Sequence, residues 1–285
     1  LGRKLTVAQD QNPALFIPGQ STRKNTLERR PLAPVFDSIF GYSSDANSSY
    51  HGLQVMLQRR FAQKLGFTLG YAYAKAIDEV STSEVAHWEM QDPTNRRLDR
   101  GLSNFDIRQR LVVSWIYDLP RLTVSPGLVR HVFGGWQLAG IGTVQDGRPF
   151  TVESGRDRSL RGRQRADDRP DLLGDPTLPA DRGRAERLDR YFDTSQFEPN
   201  QLGQFGNAGR NILIGPGTVD FDLSLKKRIF LGEAKTLDFR WEMFNAFNRP
   251  NFSQPRRNLA SSGSFGRITS AGSGRIMQFG LKFEF

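Results

Sequence analysis

The sequence predicts an all-β fold, an antiparallel up-and-down transmembrane β-barrel of which about seven to eight strands are present. Three observations support this prediction. Apolar and polar residues alternate with period two in several stretches, the connections between these stretches are alternately long and short, and the last stretch ends on an aromatic residue. Alternation gives a strand one apolar and one polar face. In a transmembrane barrel the apolar face meets lipid, the polar face meets the lumen, and closure removes the sheet edges.

The last strand carries the clearest alternation. Its polar or small residues are Gln278, Gly280, Lys282 and Glu284, and an apolar residue stands on either side of each of them. The pattern resembles the C-terminal strand by which bacterial outer-membrane proteins are recognised for insertion. Taken alone, this strand also allows half of a soluble sandwich. The apolar residues are Met277, Phe279, Leu281, Phe283 and Phe285.

The earlier strands follow the same rule. Two hairpins are predicted, one around the connection 63–66 and one around the turn 231–233. The alternation is weaker near Gly140 and Gly142, and the sequence does not assign the faces of that strand. The alternating stretches are 50–62, 67–77, 105–117, 136–147, 219–229 and 237–247, and residues 1–7 fit the end of another strand.

The connections discriminate between a barrel and a sandwich. Long polar loops alternate with short turns, and the connection 119–135 is intermediate. Outer-membrane barrels keep short turns at the periplasmic rim and long loops outside the cell, whereas a Greek-key sandwich has no reason to do so. This orientation places Phe285 near the periplasmic rim. The long extracellular loops are predicted at about 11–47, 79–104, 148–217 and 249–274.

The composition excludes several other classes of protein. Hydrophobic residues make up only 37% of the 285 residues, which suits a barrel with a wet lumen better than a soluble core. No apolar run approaches the roughly 18–20 residues that a membrane-spanning helix needs. The chain has no cysteine and hence no disulfide. The net charge of +10 does not predict nucleic-acid binding, because much of the arginine lies between Arg148 and Arg169 among aspartates.

No catalytic or metal-binding constellation is found. His51, His87 and His131 lie far apart on different segments, and no nucleophile-elbow, Walker A or dinucleotide motif occurs. The stretch Asp220–Asp222 suggests half a calcium loop but lacks the glycine and the distal glutamate. The sequence therefore predicts neither an enzyme nor a cofactor.

Two groups of residues are predicted to contact the membrane. One consists of apolar residues that face lipid, and the other consists of aromatic residues at the membrane–water interfaces, where amphipathic rings prefer to lie. Some aromatic residues also allow a second interpretation, as platforms for carbohydrate stacking. The lipid-facing residues are Leu223, Phe239, Phe279, Leu281 and Phe283, and the interfacial aromatics are Trp115, Tyr117, Trp136, Trp241 and Phe285.

An arginine cluster in the longest loop has two interpretations. Its guanidinium groups could bind an anionic ligand or lipopolysaccharide phosphates through charge-assisted hydrogen bonds. They could also belong to a mobile, solvated loop, which is the favoured interpretation. The residues are Arg156, Arg158, Arg161, Arg163 and Arg165.

Several segments, in this order, resemble TonB-dependent outer-membrane receptors, in particular the Oar-like subgroup with an N-terminal carboxypeptidase-regulatory-like domain. Each segment is short, but together they run nearly from end to end. They are Asn12–Ala14, Ile17–Gly19, Ser48–Gln54, Gly70–Lys75, Gln91–Pro93, Ser103–Arg110, Gly135–Leu138, Gly147–Phe150, Phe205–Asn211, Gly215–Gly217 and Phe244–Phe252.

The resemblance implies a larger barrel, of roughly 22 strands with a plugged lumen. Residues 1–285 would then be its C-terminal part. Since the sequence begins with Leu1 inside a pattern, we expect a fragment that lacks the plug, the TonB-contacting segment and the regulatory-like domain. The expected location is the outer membrane of a Gram-negative bacterium.

The resulting hypothesis is a transporter in which the barrel wall and the extracellular loops capture a ligand for energy-coupled uptake. The expected partners are outer-membrane lipid and lipopolysaccharide, the barrel-assembly machinery through the C-terminal strand, and the TonB complex through the absent N-terminal parts. The alternatives are a passive porin-like or structural barrel, and a soluble β-rich binding module.

Overall fold

The computed structural model is built on one large antiparallel sheet and describes residues 2–81, 90–92, 95–120, 132–162, 168–231 and 235–285. Among these residues, no helix is long and apolar enough to cross a membrane. The strands are β1 (Gly2–Asp10), β2 (Phe40–Ala62), β3 (Leu65–Asp78), β4 (Gly101–Leu102), β5 (Gln109–Asp118), β6 (Trp136–Gln145), β7 (Pro149–Phe150), β8 (Asp171–Leu172), β9 (Phe197–Glu198), β10 (Leu213–Ile214), β11 (Thr218–Phe230), β12 (Thr236–Phe244) and β13 (Ile276–Glu284); the helix α1 is Arg184–Asp189, and 3₁₀ turns span Leu27–Arg29, Arg96–Asp99 and Thr194–Gln196.

The sheet is an up-and-down meander. Its strand order is β1-β2-β3-β5-β6-β11-β12-β13, and the short β4 pairs with the end of β3. Every long strand is antiparallel to its neighbours. Within the described residues β1 and β13 do not pair with each other, so the sheet has two edges and does not close. The predicted all-β, antiparallel up-and-down arrangement is confirmed.

The register collects the apolar side chains on one face of the sheet. Residues that lie opposite each other in an antiparallel pair share a face, so the pairs can be followed from strand to strand. We call this side the apolar face. One of its rows is Leu57, Leu69, Val113, Gly142 and Phe221, and the next continues through Leu223, Met243 and Met277.

The two glycines of β6 belong to this apolar face. Each lies beneath a neighbouring aromatic ring. A Cβ on Gly140 would lie closer than 3.0 Å to the Trp115 ring and to Leu223 Cδ2, and one on Gly142 would approach the Phe221 ring as closely. Rings that cover a strand glycine restore the apolar surface that the missing side chain would have supplied. This arrangement explains why the alternation of β6 is weak in the sequence.

A valine at Gly140 is expected to displace the Trp115 ring. Overpacking of this kind costs about 1–3 kcal/mol, and it should appear as a lower free energy of unfolding in phospholipid vesicles together with a changed tryptophan emission spectrum. The matched control is Gly70→Val in β3, because no atom of the described residues lies within 4 Å of the position of its Cβ. Equal stability of the two variants would contradict the proposed ring contact.

The opposite face carries charges that pair across the strands. Asp238 accepts hydrogen bonds from Arg228 Nε and Nη2, both at 2.7 Å. Lys226 Nζ lies 3.4 Å from the same carboxylate, and Lys282 faces Asp238 across the next strand pair. Charges of both signs arranged in this way require a polar, hydrated surrounding, which a barrel lumen provides.

Lys227 is an exception that the alternation of β11 does not reveal. Its register partners Trp136 and Phe239 lie on the apolar face. The ammonium group donates hydrogen bonds to the backbone carbonyl oxygens of Val132 and Gly134, both at 2.9 Å, and lies 5.2 Å from the centre of the Trp136 ring. The chain between β5 and β6 thus covers the charge, while the methylene groups lie along apolar surface.

Two connections differ from their predicted extent. The first hairpin turns through only Gln63 and Lys64, whose φ angles of 51° and 71° suit a type I′ turn. The turn predicted at 231–233 lies partly outside the described residues. The predicted loops 11–47 and 79–104 correspond to the connections 11–39 and 79–108 between long strands.

The limits of β2 and β5 have a physical explanation. β2 begins already at Phe40, because β1 pairs with its polar first part, for example Leu5 with Ala46. β5 begins only at Gln109, because Asp106 turns inward and accepts the Ala76 N–H at 2.6 Å. The predicted strand start at 105 is therefore wrong.

Candidate functional site

The long loops form a packed layer at one end of the sheet, which we call the loop layer. Its largest segment, 146–217, was expected to be irregular, but it contains two small ladders, β7 with β10 and β8 with β9, and the helix α1. An apolar cluster that alternation could not reveal holds it together. The cluster consists of Phe150, Val152, Phe192, Phe197, Ala208 and Leu213.

The segment 245–275 completes this cluster. Phe265 meets Phe192 edge to face, with ring centroids 5.3 Å apart and planes at 81°. It meets Phe197 similarly at 6.1 Å, and Leu259 packs on the same cluster. Edge-to-face pairs of this kind stabilise a core by about 0.5–1.5 kcal/mol each beyond the burial of their area. Two loops that are distant in sequence therefore share one small core.

Buried ion pairs join the segment 146–217 to the segment 79–108 and to Asp78, the last residue of β3. Arg210 pairs with Asp78 at 2.5 Å, with side-chain exposures of 4% and 7%. A second Arg210 nitrogen donates to the carbonyl oxygens of Asp78 and Asp99 at 3.0 and 2.9 Å. Arg169 Nη1 donates to Asp99 Oδ1 at 2.8 Å. Since a buried charge is tolerated only when it is paired and hydrogen-bonded, these contacts hold the two segments in one arrangement.

The segment 11–39 is attached by two buried arginines. Arg29 donates to the carbonyl oxygen of Leu160 at 3.0 Å, and Arg30 donates to that of Gly162 at 3.1 Å. Burial lowers the pKa of Arg29, and the charge of Asp157 counteracts part of that effect. Both guanidinium groups thus act as structural links between loops.

The aspartates of the longest loop also hold its backbone in place, because their carboxylates accept hydrogen bonds from backbone N–H groups. Asp168 accepts the Ser159 N–H at 2.6 Å, and Asp157 accepts the Gly162 N–H at 3.0 Å. Near the tip, Asp193 accepts hydrogen bonds from the side chain and the N–H of Ser195, and the Ser195 hydroxyl is the main reason why the pKa of Asp193 is lowered to about 2. Carboxylates that accept several donors in this way keep a loop in one conformation.

A cavity of about 490 Å³, which we call the basic cavity, lies between α1, the start of β11 and the segment 249–252. Its charged residues are Arg184, Arg187 and Arg249, and no carboxylate is among the described residues that line it. Cavities of this volume are typical of small-molecule sites. The other lining residues are Gln145, Leu188, Tyr191, Pro216, Gly217, Val219, Pro250, Phe252 and Ile268.

The local structure explains why these arginines converge. Arg184 and Arg187 are three residues apart on α1 and hence on one side of that helix. The chain beyond α1 is held by hydrogen bonds from Tyr191 N–H to Gly266 O and from Ile268 N–H to Leu188 O, each 2.8 Å long.

The third arginine comes from the segment after β12. The backbone N–H of Arg249 donates to Asn245 Oδ1 at 2.9 Å. An asparagine just after the end of β12 therefore positions Arg249. The Arg184 guanidinium lies 5.2 Å from the centre of the Phe252 ring.

Tyr191 forms part of the wall and keeps its proton. Its hydroxyl donates to Ile214 O at 3.1 Å. Burial raises the pKa of Tyr191, and the charge of Arg187 lowers it by a smaller amount. The neutral phenol is therefore a fixed surface beside Arg187.

A second cavity of about 510 Å³ adjoins the first. The two share Gln145, Pro216 and Phe252. The second contains Asp146 besides Arg148 and Arg257, and Arg257 pairs with Glu153 at 2.9 Å. Its positive charge is therefore largely balanced, unlike that of the basic cavity.

The arginines singled out in the sequence lie elsewhere. Arg156 is exposed, while Arg158 is half-buried and donates to Asn200 O, and Arg161 lies over the Phe205 ring at 5.8 Å. Two others, Arg163 and Arg165, lie outside the described residues. None of the described three lines the basic cavity, and Arg158 and Arg161 pack into the loop layer rather than extend into solvent. Ligand binding by this cluster stays a prediction.

The predicted membrane contacts lie together on the apolar face. Phe279, Leu281 and Phe283 are 68%, 69% and 50% exposed, and no second layer of described residues covers them. Leu223 and Phe239 are half-buried among their strand neighbours. That these five side chains face lipid stays a prediction, as does the interfacial position of the aromatic residues.

The aromatic residues differ in their surroundings. Trp136, the first residue of β6, donates its indole N–H to Val132 O at 2.9 Å. Trp241 stacks on Phe279 at 5.7 Å, and its indole nitrogen has no hydrogen-bond partner among the described residues. Trp115 and Tyr117 share the apolar face on β5, and Phe285 is 91% exposed just after β13. The Trp136 N–H is thus bonded within the protein, whereas that of Trp241 is not.

No metal site emerges from the described part of the chain, which contains no group of three or more His, Asp or Glu residues suited to hold an ion. His51 is exposed on β2. His87 and His131 lie outside the described residues.

A comparison with protein families agrees with this fold. A family model described as "Outer membrane beta barrel domain" matches residues 1–278. The structure is similar to that of the outer membrane transporter YddB from Escherichia coli, with a TM-score of 0.47 and 10% identity over 99% of this chain and 28% of that one. For the siderophore receptor PiuA from Acinetobacter baumannii the TM-score is 0.40, with 10% identity over 86% and 22%. The chain thus spans less than a third of either structure. No curated protein matches it.

Proposed function

The chain belongs to the family of outer membrane β-barrel domains and is therefore an outer-membrane protein, and from this premise we propose that it is the C-terminal barrel part of a TonB-dependent receptor. Residues 1–285 supply a portion of the wall, lumen-facing charges and ligand-capturing extracellular loops. The plug, the TonB-contacting segment and the regulatory-like domain of the Oar-like subgroup would come from other parts of the protein.

The free edges of the sheet support a wall within a larger barrel. In hydrocarbon each unpaired backbone N–H or C=O group costs several kcal/mol. The described strands leave the outer sides of β1 and β13 unpaired, so these edges need partners in a membrane, and neighbouring strands of a larger barrel would supply them. Eight long strands that follow one another without a crossover fit a segment of such a wall.

The order of the loop layer supports the proposal that the loops capture a ligand. Its segments share an apolar core and buried ion pairs, so they present a defined surface. That surface contains the basic cavity, which opens between two different connections of the sheet, 146–217 and 245–275. Pre-organised loops lose less conformational entropy on binding a ligand than mobile ones.

Energy coupling can be tested before the ligand is identified. We expect cells with the intact gene to deplete at least one component of a complex growth medium that gene-deletion cells leave behind, as measured by mass spectrometry. Deletion of tonB, or addition of a protonophore, should abolish the difference.

The same experiment separates the alternatives. A passive porin-like barrel would deplete the component whether or not TonB is present. A purely structural barrel would leave the medium of both strains alike, and either result would refute the proposed receptor function.

A further inference from the structure

The arginines of the basic cavity differ from the other arginines around α1. Glu186, Asp189 and Asp193 near this helix are each engaged by an arginine outside the cavity. Arg182 pairs with Glu186 at 3.4 Å, Arg190 pairs with Asp193, and Arg267 donates from Nε to Asp189 at 2.8 Å. None of these three carboxylates lines the cavity.

Arg184, Arg187 and Arg249 have no ion pair within the described residues. All three are exposed, and they line the same cavity. Three like charges facing a common space repel each other, and the repulsion is relieved when an anion enters. Guanidinium groups bind carboxylate and phosphate oxygens well because their planar N–H forks match those geometries.

Most of the remaining wall is apolar or aromatic, and Gln145 is its polar member. Leu188, Pro250 and Ile268 supply aliphatic surface, and Phe252 lies beneath the Arg184 guanidinium. The phenol of Tyr191 is held by its hydrogen bond to Ile214. A fully hydrated inorganic ion gains nothing from such a wall, whereas a ligand with an apolar group gains from its burial.

We propose that the basic cavity binds an anionic ligand that combines a phosphate or carboxylate group with an apolar or aromatic body. This inference deepens the proposed capture function of the loops and rests on that function. The same phosphate chemistry has two possible sources, a soluble molecule or the headgroup of lipopolysaccharide, because Val219 in the cavity wall belongs to the apolar face of the sheet.

The test is calorimetric titration of the full-length protein in a non-ionic detergent at low salt. The probe is 1-naphthyl phosphate. Replacing Arg184, Arg187 or Arg249 with glutamine should weaken its binding about five- to tenfold each, as expected for a partly screened charge-assisted hydrogen bond. Arg156→Gln is the matched control, since Arg156 is exposed in the same loop layer but does not line the cavity.

Further arms identify the ligand class and its source. The neutral 1-naphthol and inorganic phosphate should each bind at least tenfold more weakly than the combined probe. Nanodiscs with and without lipopolysaccharide form the lipid arm. Arginine-dependent binding of the soluble probe supports a small molecule, and arginine-dependent binding of lipopolysaccharide nanodiscs alone supports the lipid headgroup.

The inference is overturned if neither 1-naphthyl phosphate nor the lipopolysaccharide nanodiscs bind. It is also overturned if the three arginine variants bind them as tightly as the wild type does. Because this titration needs no TonB, a negative result in it is independent of the result of the depletion experiment. Arginine-dependent binding together with TonB-independent depletion would refute the receptor proposal and leave the anion site in place.

Discussion

Arg210→Ala is expected to loosen the loop layer by about 3–5 kcal/mol, which is the usual cost of leaving a buried charge without its partner. The substitution leaves the Asp78 carboxylate, whose side chain is 7% exposed, without its ion-pair partner. It also removes the hydrogen-bond donor to the carbonyl oxygens of Asp78 and Asp99. The measurement is hydrogen exchange in the full-length protein, where amides around Gln91 and Arg169 should exchange faster. These amides donate to Asp99 and Gln91 in the intact network.

Arg267→Ala is the matched control for this prediction. Arg267 pairs with Asp189 in the same layer, but the two side chains are 50% and 63% exposed. Exposed pairs contribute about 1 kcal/mol or less, so this variant should exchange as the wild type does. If Arg210→Ala changed the exchange no more than Arg267→Ala, the pair with Asp78 would not hold the loops together.

Leu223→Arg is expected to destabilise the protein in a bilayer by about 2–4 kcal/mol, the cost of an arginine on the lipid side of a strand near the midplane. Leu223 lies in the middle of β11, in the row that contains Gly140 and Met243. Phe239→Arg on β12 should behave similarly. The free energy of unfolding in phospholipid vesicles and the amount of protein recovered in the outer membrane both measure the effect.

Ser224→Arg tests whether the effect depends on the face of the strand or on the introduction of an arginine as such. This residue is the next one along β11 and faces Glu242 on the charged side of the sheet. An arginine there enters a polar lumen beside a carboxylate, so we expect a change of about 1 kcal/mol or less. If Leu223→Arg and Ser224→Arg were equally tolerated, the assignment of the apolar face to lipid would be wrong.

The strand assignment could be predicted because it depends on local pattern. The side chains of β11, β12 and β13 alternate over most of their length, with Lys227 as the exception in β11, so their faces follow from the geometry of a single strand. The faces of β6 could not be assigned from Gly140 and Gly142, since a glycine has no side chain to mark a face. They became clear only when the register placed the Trp115 and Phe221 rings over them.

The roles of the loop arginines, by contrast, could not be predicted from local pattern. Their number in the segment 148–169 suggested a binding cluster, but residue type does not reveal whether a charge is already partnered. Arg158 and Arg161 turned out to be packed within the loop layer. Arg249, which lies nearly a hundred residues away from them, joins the cavity of α1.

The sequence by itself determined most of the long strands, their two faces outside β6, the alternation of long and short connections, and hence the barrel class, because each of these depends on residues that are near neighbours in the chain. Only the tertiary structure decided the register, the common core of the loops and the convergence of Arg184, Arg187 and Arg249. These features join segments far apart in sequence, and the free energy that selects them comes from packing and charge pairing between side chains whose proximity no local pattern records.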